Sequence, residues 1–211
     1  VSLGLLVLAC AAGDPGPAAA TAEAQAYAAV LADPSRRDPA ACTALADPDL
    51  AGDCGVVIAE RRIVAGDARA SVCVPLGEGV WADECRFRAA EAAMAAGDAD
   101  GAAALCLSVR TFRDACAQHL WDPELAAVWQ GPDAAAALDR ARALHAAWAA
   151  RLGDATDLDD RFWRHWYRVG FARGVPLPED PDAFCAGAPP DLARPCRKAT
   201  RRALAEAEAP R

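Results

Sequence analysis

The sequence predicts an all-α protein: disulfide-stapled helical hairpin repeats followed by a helical C-terminal region. Three observations carry that expectation. First, Asp53 to Ala68 (DCGVVIAERRIVAGDA) and Glu84 to Ala99 (ECRFRAAEAAMAAGDA) repeat in one frame. Cys54 and Cys85, Glu60 and Glu91, and Gly66 and Gly97 are each 31 residues apart, and self-similarity at a fixed period marks stacked structural units. Second, alanine dominates a hydrophobic content of 54%, aromatics are only 6% and β-branched residues are sparse, a composition that favours helix over strand. Third, nine cysteines in 211 residues point to an oxidising compartment, and eight of them fall into close pairs.

The chain opens with an apolar run, VSLGLLVLAC, that ends in small residues before Cys10. Val7-Leu8-Ala9-Cys10 resembles the lipobox of bacterial lipoprotein signal peptides. The resemblance implies removal of residues 1–9, acylation of Cys10, and anchoring in a membrane by acyl chains rather than by a spanning helix. In that family Ala11 after the cysteine implies the outer membrane, facing the periplasm. Residues 10–20 then read as a lipidated tether, since AAGDPGPAAA has Gly and Pro but no hydrophobic periodicity. Fully extended, ten residues reach roughly 33 Å.

Residues 21–130 hold the repeats. Thr21 reads as the N-cap of a helix that Asp33-Pro34 stops near Ala32. Asp-Pro pairs then punctuate the chain, because Asp caps exposed amides and Pro at the first helical position gives up no needed donor. Asp38-Pro39, Asp47-Pro48, Asp122-Pro123 and Asp180-Pro181 are each expected to open a helix. The cysteine pairs are Cys42 with Cys54, Cys73 with Cys85, Cys106 with Cys116, and Cys185 with Cys196. None has the spacing of a zinc knuckle, and no C-x-x-C-H haem motif occurs. Leu50, Trp81, Phe112 and Leu192 each precede the second cysteine of a pair by one helical turn and share its face. Each pair thus straddles one hairpin loop, with the first cysteine before the loop and the second in the early turns of the next helix. Joining Cys54 to Cys73, or Cys85 to Cys106, would leave the sulfurs on the order of 6–9 Å out of register along the helix axis, which disulfide geometry does not tolerate. Each short closed loop should add roughly 2.5–3 kcal/mol through the unfolded state.

From Cys42 to about Trp129 this plan resembles the stapled hairpins of the Sel1-like repeat family. The likeness is one of design and not of consensus: the period here is shorter and the cysteines lie farther apart, so no binding residues carry over. What it implies is a solenoid that makes protein contacts.

Residues 131–211 are expected to pack on the repeats. Gly131-Pro132-Asp133 should open a helix to about Leu152, with Leu138, Leu144, His145, Trp148 and Leu152 on one side and Gly153 at its end. Thr156 with Asp159 has the pattern of a capping box ahead of a helix over 158–173, which Gly174 and Pro176 end. Phe162, Trp163, Trp166, Tyr167 and Phe171 make that helix the anchor of the C-terminal core, with its arginines on the solvated side. Stacking on a sugar or polyanion is the lesser reading of the same residues.

A net charge of −8 argues against a nucleic-acid partner. The charge is uneven: residues 161–211 hold ten Arg or Lys against six Asp or Glu, which should draw the two parts of the molecule together. Glu60 and Glu91 each sit on an apolar stripe, where a carboxylate must find donors. The expectation is structural hydrogen bonding; the sharper alternative is a row of Glu60, Glu91 and Asp122, again 31 residues on, that binds a cation or a basic peptide. His119, His145 and His165 fall on separate helices, so no metal site and no cofactor are expected. No G-x-S-x-G turn, P-loop or dinucleotide fingerprint occurs, and no catalytic residue is assigned. By fold analogy alone, the expectation is a protein-binding or scaffolding module of the bacterial envelope with an envelope protein as partner. The alternative is an envelope hydrolase whose site lies between the repeats and the aromatic helix 158–173.

Overall fold

Helix dominates the described residues; Gly or Asp-Pro marks most of its breaks, and residues 109–112 break it with neither. The computed structural model describes residues 17–33, 35–67, 69–129, 134–153, 157–172, 180–186, 188 and 190–208. Cys10 with its lipobox, the Gly131-Pro132-Asp133 helix start, Thr156, Gly174 and Pro176 lie outside them. In order come α1 (Pro17–Ala32), a 3-10 turn (Pro39–Ala44), α2 (Pro48–Val64), a second 3-10 turn (Ala70–Leu76), α3 (Val80–Ala95), α4 (Ala99–Ser108), α5 (Arg113–Val128), α6 (Ala134–Leu152), α7 (Leu158–Ala172), α8 (Pro181–Cys185) and α9 (Pro190–Glu208). No strand occurs among the described residues. α1 begins at Pro17 rather than after Thr21, since Pro suits the first helical position and the alanines behind it propagate helix at little cost.

Three of the four Asp-Pro pairs open helices. Asp38 accepts from the amide of Ala40, Asp47 from Asp49 and Leu50, and Asp180 from Asp182 and Ala183. Asp122 does not cap a helix: Pro123 lies inside α5. Pro123 cannot donate to the carbonyl one turn back, but Leu120, Trp121, Leu125 and Val128 are buried on both sides of it. Burial of that stripe holds the helix continuous through the proline, and tertiary packing overrides the local signal.

The repeated AGDA segment stops a helix in both copies, and in the second copy it also starts the next helix. Gly66 and Gly97 have φ of 99° and 81°, the left-handed region that Gly enters without a Cβ penalty. Beyond them the amide of Asp67 bonds the carbonyl of Arg62, and that of Asp98 bonds Ala93, both at 2.9 Å, the pairing of a Schellman stop. Asp98 then caps α4 by accepting from the amide of Gly101 at 2.8 Å.

Four disulfides staple the structure: Cys42–Cys54, Cys73–Cys85, Cys106–Cys116 and Cys185–Cys196, with Cα separations of 5.8, 5.6, 5.5 and 5.8 Å. Every second cysteine lies within the first two turns of its helix. The first arm varies: in the two leading hairpins it is a 3-10 turn, and only from α4 onward an α-helix. Those leading arms are short and hold Pro39 or Pro75, which favours tight 3-10 pieces over full α turns.

Successive helices pack α2 on α3, α3 on α4, α4 on α5 and α6, α5 on α6 and α7, and α7 on α9. The core between α3 and α4 is lined by Ala89, Ala90, Ala93, Ala102 and Ala103, so the helices approach closely. At Gly52 a Cβ would stand 2.2 Å from the Trp81 ring; only Gly admits the indole there. Aromatic packing joins the repeats to the C-terminal helices. Trp121 of α5 meets Trp148 of α6 and Phe162 of α7 at ring distances of 6.2 and 6.1 Å. Trp129 stacks on Trp166 at 4.7 Å and donates its indole N–H to the Trp166 carbonyl.

One buried carboxylate ties consecutive hairpins. Asp83 of α3 is 1% exposed. It accepts from the amides of Arg110 and Thr111 at 3.0 and 2.8 Å, from the Thr111 hydroxyl, and from Arg86 at 2.8 Å. Burial alone would raise its pKa, but the Thr111 and Arg110 donors and Arg86 outweigh burial and hold it below the ordinary carboxylate value.

Candidate functional site

The repeated acidic residues do not converge. Glu60 is exposed, beside Arg37, Val57, Arg61 and Val64 in a shallow groove of about 520 Å³; the expectation that it is buried and bonded is corrected. Glu91, by contrast, accepts from Arg88 on its own helix at 3.3 Å and contacts His119 of α5 at 2.8 Å. The two repeats differ because Arg88, 31 residues before His119, turns back to Glu84 and Glu91 rather than to Glu60. Asp122 pairs with His165 of α7 instead. Among the described residues no group of three or more His, Cys, Asp or Glu side chains is placed to hold a metal ion.

The three histidines share one arrangement. Each faces a carboxylate across a helix interface: His119 to Glu91, His145 to Asp159 at 2.7 Å, and His165 to Asp122 at 3.2 Å. His165 is the most enclosed of the three, with 11% of its side chain exposed. Arg168 donates to its Nδ1 at 2.9 Å. Because a guanidinium has only donors, Nδ1 must accept, which fixes the neutral ring with its proton on Nε2 toward Asp122. Burial pushes the His165 pKa down, Asp122 opposes this, and Arg168 and Arg164 reinforce it. Burial likewise raises Asp122 above its ordinary value, against the pull of His165 and Arg168.

His165 opens onto a cleft of about 140 Å³ where α5, α7 and α9 meet, lined by Gln118, Arg161, Arg164, Arg168, Arg202 and Glu206. α7 places Arg161, Arg164 and Arg168 on one face by helical spacing, and α9 supplies Arg202. Three of the arginines have carboxylate partners: Arg161 with Asp114 at 3.2 Å, Arg164 with Asp160 at 3.4 Å, and Arg202 with Glu206 at 2.9 Å. Arg168 donates to the neutral His165 nitrogen and, among the described residues, has no carboxylate in ion-pair contact, Asp122 acting on it from farther off; the Nε of Arg161 is buried without a hydrogen-bond partner. Planar guanidinium groups gathered on a small cleft match the two-point geometry of phosphate-like and carboxylate oxyanions.

The aromatic packing of α7 is legible in the sequence, whereas its arginines, expected on a solvated face, line the cleft. The spacing of Arg161, Arg164 and Arg168 was the available signal; the arrival of α9 over them leaves no local trace. The uneven charge finds its partners in Arg161 with Asp114 and in Arg164 and Lys198 with Asp160. No described helix is long and apolar enough to cross a membrane. No family model, curated protein or solved structure matches the chain.

Proposed function

We propose that the protein is a lipid-anchored binding module of the bacterial envelope, a stapled scaffold that holds an anionic group of its partner in the α5–α7–α9 cleft. The observation that carries this reading is the convergence of Arg161, Arg164, Arg168 and Arg202 with His165 on one cleft of about 140 Å³. That is close to the roughly 150 Å³ of an internal cavity known to admit a small ring, so one phosphate-sized group fits with part of its carrier. The envelope address rests on Val7-Leu8-Ala9-Cys10 and on the cysteine count: eight of nine are in disulfides, and Cys10 is the ninth. An oxidising compartment suits those disulfides.

Calorimetry with inorganic phosphate at low ionic strength tests the binding reading. Saturable binding, weakened about tenfold in Arg168→Gln by loss of a charge-assisted bond, is the expected result; no binding by the parent protein would overturn it. Intact mass of membrane-extracted protein tests the anchor, with acylated Cys10 as the mature N-terminus expected.

The Asp122–His165 pair beside the cleft favours a second reading, an envelope hydrolase in which Arg168 turns to the substrate and frees His165 Nδ1 to act as general base. Turnover of a phosphate monoester by the parent protein, lost in His165→Gln while phosphate binding is kept, would favour it over the module.

A further inference from the structure

We propose that the ligand carries at least two phosphate-type groups, bound side by side in two cavities that share Arg161; this rests on the anion-binding reading above. The second cavity, of about 360 Å³, is lined by Arg110, Thr111, Arg113, Asp114 and Arg161. Arg161 therefore lines both, and its bond to Asp114 at 3.2 Å sets it at the seam between them.

Charge pairing distinguishes the arginines. Four of the six around the two cavities face carboxylates: Arg110 with Glu78, Arg161 with Asp114, Arg164 with Asp160 and Arg202 with Glu206. The other two contact neutral acceptors. Arg113 donates from Nε to the Val109 carbonyl at 3.1 Å, and Arg168 donates to His165 Nδ1 at 2.9 Å. One belongs to each cavity, so among the described residues each cavity holds an arginine with no carboxylate in ion-pair contact, with Arg161 between them. The Arg110–Glu78 pair, 67% and 73% exposed, is held weakly in water and can exchange Glu78 for a ligand oxygen. A single small anion satisfies one of these places; two linked anions satisfy both, and the second binds at the high effective concentration set by the link.

Inorganic orthophosphate and tripolyphosphate, compared by calorimetry on the disulfide-intact protein, test this. Tripolyphosphate should bind about tenfold tighter or more. Arg113→Gln should remove that excess, and Arg168→Gln should weaken binding of both probes. Arg69→Gln, which takes one charge from the turn between α2 and α3, should leave the excess in place. Equal affinity for the two probes, or an excess that Arg69→Gln reduces as much as Arg113→Gln, would overturn the two-site proposal with the one-site reading intact. Failure of both probes to bind would overturn the anion-binding reading itself. Circular dichroism and melting controls confirm that each variant is folded. Cosedimentation with phosphatidylglycerol vesicles then distinguishes the source of the phosphates: capture abolished by Arg113→Gln assigns them to lipid headgroups, and tripolyphosphate binding without capture assigns them to a soluble ligand.

Discussion

Arg168 donates a hydrogen bond at 2.9 Å to Nδ1 of His165, one turn earlier on α7, and the two side chains thereby set each other's state. Burial first, and the arginine with it, keeps the imidazole neutral, and the imidazole keeps the arginine at the mouth of the cleft. Protonating Nδ1 would break that bond.

A pH dependence follows from the lowered pKa of His165. Below the ordinary imidazole value of about 6.5 the unfolded chain takes up this proton before the folded one does. Stability from this group is therefore full above that pH and is lost as pH falls toward the folded value. His165→Gln should melt with a shallower dependence on pH below about 6.5, measured by thermal scans. A parent protein and variant with parallel pH profiles would show that His165 titrates as it does in water.

Asp83 should matter more to stability than any other carboxylate described. Its four donors come from α3 and from the loop between α4 and α5. Asp83→Ala leaves them unpaired and should cost roughly 3–5 kcal/mol, lowering Tm by about 10 °C or more. Because its pKa is depressed, this stability is present above the unfolded carboxylate value near 4 and is lost as pH falls through the folded value. Chemical denaturation of Asp83→Ala and parent at pH 7 and at pH 3 checks both points.

The two repeated glutamates should separate. Glu91→Ala removes the contacts to Arg88 and His119, a half-exposed pairing worth no more than about 1 kcal/mol, and should lower Tm by a few degrees. Glu60→Ala should melt with the parent. Equal losses in both variants would mean that the repeat imposes one role on the two positions.

Non-reducing peptide mapping should recover the four short-range disulfides, with Cys54 joined to Cys42 and never to Cys73. Replacing Cys73 and Cys85 together with serine should cost roughly 2–3 kcal/mol, because the alanine-lined core around them has little large apolar area to offset the loss.

Local features of this fold were legible in the chain and distant ones were not. The AGDA stops and the Asp38, Asp47 and Asp180 caps involve amides within a few residues, so their residues announce them. Asp122-Pro123 carries the same signal and was misread, because burial of Leu120, Trp121 and Leu125 decides the outcome there. Asp83 meets its loop donors 27 and 28 residues away, and only Arg86 lies in its own neighbourhood. The cleft was half visible: α7 displayed its arginines by helical spacing, but the helix that closes over them comes from beyond α8.

Side-chain Nε–Hε resonances of the arginines, followed by NMR while inorganic phosphate is added, test the anion-binding cleft most directly. Saturable shifts are expected at Arg161, Arg164, Arg168 and Arg202, with Arg36 and Arg69 unmoved. Silence at the four cleft arginines, or equal shifts at Arg36 and Arg69, would contradict anion binding there.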